Sequence, residues 1–300
     1  MRVLIITNSA STDPDLAQAS YNIQTLARSL HDRDIEVELF GMYSKSPNLD
    51  DMLTAPHVAY LAYTVESEYL PYLQRLRDRG TFFVNSPESV IACRDKQLIH
   101  DILISHGISH PKTITINNEQ DCDNLNLGWP CVIKCNNKTH GVDVLLCENL
   151  EQLKSNFKIL VGRGYGSGDK TIIAQEYVKS GDGDMMIVSY VMGDKISSMV
   201  NVGDPLTDTG FKNNLSLGHQ IIPIVTPPDL IELIRKLTSI EVLNINVCRL
   251  EIFYTRENGY KVCNINMPAG RLAHDISTGY NMSETLTDYI LRRYNDHESN

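Results

Sequence analysis

The residues best suited to chemistry lie in one stretch, VCRLEIFYTRENGYKVCNINMPAG, from Val247 to Gly270. Two runs rich in β-branched, aromatic and aliphatic residues, Val247 to Tyr254 and Tyr260 to Ile265, flank Asn258-Gly259, a dipeptide that favours a two-residue reverse turn. With those two residues at the centre of the turn, Glu251 falls opposite Asn266 and Phe253 opposite Asn264. Alternation along each strand then puts Glu251, Asn264 and Asn266 on one face. Opposed Cβ atoms lie about 5 Å apart and diagonal ones about 7–8 Å, a span one hard cation can bridge. Mg²⁺ takes such oxygen donors and shares them with water and substrate phosphates. A polar hairpin face turned to water has the same composition, so the assignment depends on the rest of the chain.

Elements that position a phosphate-bearing ligand recur upstream. The periodicity predicts a β-α-β start: a strand over Arg2 to Thr7, a helix carrying Leu16, Ala19, Ile23, Leu26, Ala27 and Leu30, and a strand over Ile35 to Phe40. Its first loop, NSASTDPDL, contains no glycine, so it is no dinucleotide fingerprint. A second strand-helix-strand unit covers Val58 to Asn85. Asp95 to His106 reads as an amphipathic helix with Leu98, Ile102 and Leu103 inward and Gly107 as its stop.

PCVIKC and VDVLLC read as two strands joined by NNKTHG, a small polar loop whose backbone N–H groups suit phosphate. Lys134 stands inside the first of them, where its ammonium either reaches solvent or meets an anion. TIIAQEYV is a further strand, Met186 to Val200 a hairpin turning at Gly193-Asp194, and Asn201 to Gly218 a long loop carrying Lys212, Asn213 and Asn214. Helices are expected over Pro228 to Leu243 and Ser283 to Tyr294.

A chain of 300 residues with 42% hydrophobic and 21% charged residues and a mean hydropathy of −0.20 is an ordinary globular composition, long enough for two or three lobes. A net charge of −10 without a basic stripe argues against nucleic-acid binding, and no apolar run reaches the length of a membrane span. MRVLIITNSAS reads as a first strand and not as a leader, which predicts a cytoplasmic protein; a homo-oligomer stays open. Seven cysteines without any C-x-x-C pair, several in strand-like runs, predict buried reduced thiols.

Taken in order, RDK at Arg94 to Lys96 before a helix, the Gly107 to Thr113 segment, PCVIKC around Lys134, AQEYV, FKNNLSLG and NINMPAG resemble the ATP-grasp ligases. The likeness is strongest to the RimK-like branch, with ribosomal-protein glutamate ligase and glutathione synthetase as relatives, and it covers Asn85 to about Tyr294. It implies an α/β (α+β) chain of the ATP-grasp fold: an N-terminal α/β domain over 1–87, a central subdomain over 88–178 and a C-terminal subdomain over 179–300, the last two clasping ATP. The implied reaction joins a carboxylate to an amine through an acyl phosphate. Its substrates would be an amino acid, a peptide or a protein terminus, and its ion Mg²⁺, with Mn²⁺ as the alternative.

By position, the resemblance implies that Lys96 and Lys134 touch phosphates or the adenine edge, and that Gly141 belongs to the phosphate loop. Glu176 and the Val178 backbone would line adenine and Asp184 would reach the ribose. Lys212 and Asn214 would face the γ-phosphate and the reacting acid, and Glu251, Asn264 and Asn266 would hold Mg²⁺. Such charges are what phosphoryl transfer to a carboxylate needs, because nucleophile and polyphosphate repel. No side-chain nucleophile is required, and the sequence shows neither G-x-S-x-G nor a serine triad.

Three positions depart from the family's pattern. Lys138 and Asp143 replace loop glycines, Met186 stands where relatives carry arginine, and Asn264 replaces a metal-bridging glutamate. A nucleotide-binding regulator without catalysis, or an ATP-grasp kinase, are the alternatives those changes keep open. His140, His219 and His274 read as solvated loop histidines. Arg249 and Arg271 read either as clamps on a substrate carboxylate or as surface ion pairs, and Tyr177 as packing.

Overall fold

Parallel pairing organises the N-terminal part of this computed structural model, which describes residues 1–7, 16–41, 56–63, 65, 67–137, 143–166, 170–178, 185–202 and 220–299. Strands β1 (Arg2–Thr7), β2 (Glu36–Gly41), β3 (Val58–Leu61) and β4 (Phe82–Phe83) form a sheet in the order β2-β1-β3-β4, with helices α1 (Leu16–His31) and α2 (Leu70–Asp78) between them. The apolar run of β1 is buried on both faces, as a covered parallel strand requires: Leu4 and Ile6 join one core, Val3 and Ile5 another.

Two short helices follow, each started by a side-chain cap. Ser86 Oγ accepts from Ser89 N at 3.1 Å to open α3 (Pro87–Ala92), and Asp95 Oδ1 accepts from Leu98 N at 2.9 Å to open α4 (Lys96–Ser105). In α4 the buried stripe is Ile99 and Leu103, one turn apart, with Ile102 packed beside it. Leu98, expected inward, is 41% exposed, because it lies roughly 100° around the helix from Ile99.

A second sheet, antiparallel and in the order β5-β8-β6-β7, contains β5 (Thr113–Ile116), β6 (Cys131–Cys135), β7 (Leu145–Cys147) and β8 (Ile172–Glu176). Helix α5 (Leu150–Gly162) covers one face with Leu153, Phe157 and Leu160. The third sheet is antiparallel, in the order β11-β10-β9-β12-β13: β9 (Met185–Met192), β10 (Lys195–Val202), β11 (Gln220–Ile224), β12 (Val247–Thr255) and β13 (Gly259–Asn266).

Helices α6 (Pro228–Thr238), α7 (Leu272–Thr278) and α8 (Met282–Glu298) complete the chain. Helix α6 stops at Thr238, short of the Leu243 expected. Strand β11 and helix α7 had no counterpart in the sequence reading, although Gly279 in the left-handed region (φ +68°) is the signal that ends α7. Of the long loop expected over Asn201 to Gly218, Asn201 and Val202 belong to β10 and pair with β11; the rest, with residues 203–219, lies outside the described residues.

No helix among the described residues is long and apolar enough to cross a membrane, and all seven cysteines are unpaired, six of them buried.

Candidate functional site

The β12–β13 hairpin does not use the two-residue turn that Asn258-Gly259 suggests. Thr255 pairs with Gly259 around a three-residue loop, and Gly259 adopts φ +67°. Towards the far end the register shifts by one at Cys263, so that Glu251 pairs with Asn264 and Arg249 with Asn266. The pairing expected from the sequence is therefore corrected by two residues. Because side chains alternate with period two, that correction leaves Glu251, Asn264 and Asn266 on a common face. Leu250, Ile252, Val262 and Ile265 point the other way into the core.

The three side chains converge. Asn264 Nδ2 donates to Glu251 Oε2 (3.3 Å) and to Asn266 Oδ1 (3.1 Å), and Asn266 Nδ2 donates to Glu251 Oε1 (3.2 Å). Arg249 Nη2 donates to the same Oε1 at 2.7 Å. Burial works against the Arg249 charge, but Glu251 and Tyr190 outweigh it and the guanidinium pKa is raised.

Two lysines face this cluster from the preceding part of the chain. Lys134 leaves β6 and donates to Gln175 Oε1 at 2.7 Å; burial lowers its pKa, against the pull of Cys263 and Glu251. Lys96, the first residue of α4, donates through Nζ to Asn136 O at 2.6 Å while its amide donates to Asn136 Oδ1 at 2.8 Å. Burial and the like charge of Lys134 push Lys96 down to about 7, with Cys135, Cys263 and Glu251 acting in the opposite sense. A poly-anion entering here relieves a repulsion already built into the fold.

At the other side of the cleft, Lys261 of β13 donates to Glu176 Oε1 at 2.5 Å, and Lys112 N donates to Oε2 at 3.0 Å. Burial raises the Glu176 pKa, but these donors outweigh it and the net effect is a lowering. Val178 follows β8 and is partly buried. Gly141, Asp184, Lys212 and Asn214, like His140 and His219, lie outside the described residues.

Glu251 and the amide oxygens of Asn264 and Asn266 are hard donors gathered at one point, but only one is a carboxylate. Among the described residues no group of three or more His, Cys, Asp or Glu side chains can hold an ion. The set fits an ion that arrives with phosphate ligands of its own, and not a tight protein-only cage.

Other sequence readings change. Arg271 is neither a surface pair nor a substrate clamp: it is wholly buried, donating to Asn22 O (2.5 Å), Tyr60 Oη (3.3 Å) and Ser283 Oγ (3.2 Å). His274 is not a solvated loop residue, because α7 buries it between Ser197 and Asp275. Ser197 Oγ and His274 Nε2 lie 3.0 Å apart, and His274 Nδ1 and Asp275 Oδ1 2.9 Å. A Ser-His-Asp hydrogen-bond order that the sequence did not show thus exists. Ser197 stands in β10 between β9 and β11, where backbone amides serve the sheet ladders and offer no oxyanion site.

The sequence reading also missed Tyr190, Ser197, Gln175 and Lys261. Ser197, Tyr190, Arg249 and Asn266 are cross-strand partners in one row over β10, β9, β12 and β13. Tyr190 sits in the apolar run MMIVSYVM, so only alternation from Arg249's partner strand could have found it.

Comparison with known proteins agrees with this architecture. Residues 93–290 match the RimK-like ATP-grasp domain. Probable alpha-L-glutamate ligase 2 of Shewanella amazonensis is 26% identical over 272 residues, 90% of this chain and 82% of that protein. N-acetylaspartylglutamate synthase A of Homo sapiens is 25% identical over 224 residues, 73% of this chain; the match spans only 54% of that longer protein, about half its length. The crystal structure of D-alanine–D-alanine ligase from Bacillus anthracis complexed with ATP superposes with a TM-score of 0.73 at 17% identity, covering 100% of this chain and 99% of the other. The fold is the ATP-grasp fold, and the chain belongs to the RimK-like ATP-grasp family.

Proposed function

We propose that this protein is an ATP-dependent carboxylate-amine ligase. It would act through an acyl phosphate on an amino acid, a peptide or a protein terminus, as an α/β N-terminal part over 1–87 followed by lobes over 88–178 and 179–300 that clasp the nucleotide. The observation that carries this reading is the confrontation of Lys96 and Lys134 with the Glu251–Asn264–Asn266 face. Cations on one side and hard oxygen donors on the other match a triphosphate with its metal. The names of the relatives, glutamate ligase and N-acetylaspartylglutamate synthase, point to the same bond type.

In the proposed reaction a substrate carboxylate oxygen attacks the γ-phosphorus and the bond to the β-phosphate oxygen breaks, releasing ADP. The amine then attacks the acyl carbon, the carbon–oxygen bond to phosphate breaks, and inorganic phosphate leaves with the amine proton. Lys96 and Lys134 offset the phosphate charge, and Lys212 and Asn214 are assigned to the γ-phosphate and the reacting acid. Glu176 and the Val178 backbone are assigned to adenine, Asp184 to the ribose and Gly141 to the phosphate loop. Glu251, Asn264 and Asn266 would hold Mg²⁺, or Mn²⁺ in its place, which supplies charge neutralisation at the phosphates. Buried, unpaired thiols fit a cytoplasmic setting.

Two observations favour a second reading, a nucleotide-binding regulator. Met186, where family members carry arginine, is packed into the core at 9% exposure, and Asn264 leaves the metal face one carboxylate short. Incubation with ATP, Mg²⁺ and pooled amino acids and peptides, while following phosphate, separates the two. Acceptor-dependent release supports the ligase; nucleotide binding without release in any pool supports the regulator.

A further inference from the structure

Lys134 meets the cleft from a sheet face that carries a short polar chain of its own. Thr113 of β5 pairs directly with Gln175 of β8, Gln175 pairs with Val132 of β6, and Lys134 lies two residues beyond Val132. Alternation therefore puts Thr113, Gln175 and Lys134 on one face, while Cys131, Ile133, Ile172 and Ala174 take the other and pack against α5. Thr113 and Gln175 are both buried. From Gln175 to Lys134 is a diagonal step between strands of about 7–8 Å, which two long side chains close.

The two ends of the Gln175 amide are told apart by their neighbours. Thr113 Oγ1 donates its hydrogen to Pro111 O at 2.9 Å, so towards Gln175 it offers lone pairs only. Gln175 turns Nε2 to that hydroxyl at 2.8 Å, which leaves Oε1 for Lys134 Nζ at 2.7 Å. The ammonium has donors and no acceptor, so the far end of the chain demands the same orientation. One hydroxyl thereby fixes where the lysine is held.

The acceptor presented in this way is neutral. Among the described residues no carboxylate forms an ion pair with Lys134: Glu251 is taken by Arg249 and Glu176 by Lys261. A glutamate at position 175 would have nearly the same shape but would spend the ammonium's charge inside the protein. We infer that Gln175 is a positioning residue for the nucleotide: its amide, turned by Thr113, aims the Lys134 ammonium into the cleft by a single neutral hydrogen bond and leaves the charge for a phosphate. This deepens the ligase reading above and rests on it.

Isothermal titration of ATP with Mg²⁺ into the full chain tests this, run as a double-mutant cycle of Gln175→Met and Lys134→Met with urea midpoints of each variant. Gln175→Met is expected to weaken ATP about tenfold in the parent chain and by less than about twofold where Lys134 is already replaced, a pattern that mere loosening of the sheet does not give. Gln175→Glu is expected to weaken ATP by at least about tenfold too. In that variant lysine side-chain NMR is expected to show the Lys134 ammonium protonated to higher pH, since burial now holds it below the ordinary range. Thr113→Val is expected to lose roughly three- to tenfold in affinity, and Thr113→Ser to restore it. ATP affinity within about twofold of the parent in both Gln175 variants, a full loss that persists without Lys134, or an unmoved Lys134 titration in Gln175→Glu overturns the assignment and leaves the ligase reading standing. A parent chain that binds no ATP removes the ligase reading and this role with it. ATP binding without phosphate release in any substrate pool, combined with the expected cycle, keeps the role and removes the ligase reading.

Discussion

Arg249 and Glu251 lie two residues apart on one face of β12, and Arg249 Nη2 holds Glu251 Oε1 at 2.7 Å. The carboxylate is thereby aimed at Asn264 and Asn266 while one of its oxygens stays shared with a guanidinium. A cation recruited here competes with Arg249 for Oε1, which favours an ion already half-satisfied by phosphate oxygens.

Glu251→Gln keeps the shape and removes the charge. Mg²⁺-dependent ATP affinity is expected to fall by about 10- to 100-fold, while affinity without the ion changes little. Isothermal titration with and without Mg²⁺ reads both, and an unchanged Mg²⁺-dependent value removes Glu251 from the ion site.

Asn264→Glu supplies a second carboxylate next to the first. Opposite unit charges 4 Å apart are worth about 4 kcal/mol at an effective dielectric of 20, so a second carboxylate is a sizeable gain before repulsion from Glu251 is counted. The midpoint for Mg²⁺ at fixed ATP is expected to drop several-fold in a nucleotide-fluorescence titration. A rise in that midpoint means that repulsion from Glu251 dominates and that Asn264 does not face the ion.

On the proposed reading, Lys96 is expected to make nucleotide binding pH-dependent. Its folded pKa of about 7 lies below the ordinary lysine value, so between the two the unfolded chain carries more protons and stability rises with pH. Binding a triphosphate restores the charged lysine, so above pH 7 each binding event takes up a proton and ATP affinity declines. Calorimetry at pH 8 in buffers of different ionisation enthalpy is expected to show uptake approaching one proton, and none in Lys96→Arg. Equal uptake in the variant assigns the proton elsewhere.

Lys261 and Glu176 tie β13 of the third sheet to β8 of the second. The pair is partly exposed, so Lys261→Met is expected to cost about 0.5–1 kcal/mol of stability, and to raise the KM for ATP by a few-fold as the two sheets lose a tether. Urea unfolding and steady-state kinetics report the two effects separately. A large stability loss with unaltered KM makes the pair purely structural.

Arg271 is wholly buried. Buried among Asn22, Tyr60 and Ser283, it is expected to cost about 3 kcal/mol or more as Arg271→Ala, through lost volume and orphaned acceptors, with ATP affinity preserved in the folded fraction. Urea midpoints and ATP titration of the same preparation check this, and a stable variant with impaired binding restores the substrate-clamp reading.

Sequence by itself determined most of the strands, β11 excepted, and which face each side chain of the hairpin takes. A three-residue loop in place of two, and an extra residue at Cys263, together moved the register by an even number, and period-two alternation is blind to an even shift. Helix starts were likewise legible where a capping side chain is local, as at Asp95. What only the tertiary structure decided depends on residues far apart in the chain. The row from Ser197 through Tyr190 and Arg249 to Asn266 needs four strands in one sheet, and the burial of His274 and Arg271 needs α7 and α8 laid against them. The lowering of Lys96 needs Lys134 brought beside it from another element. Propensity and periodicity act over a few residues, whereas desolvation and charge coupling act through space, and no spacing along the sequence encodes them.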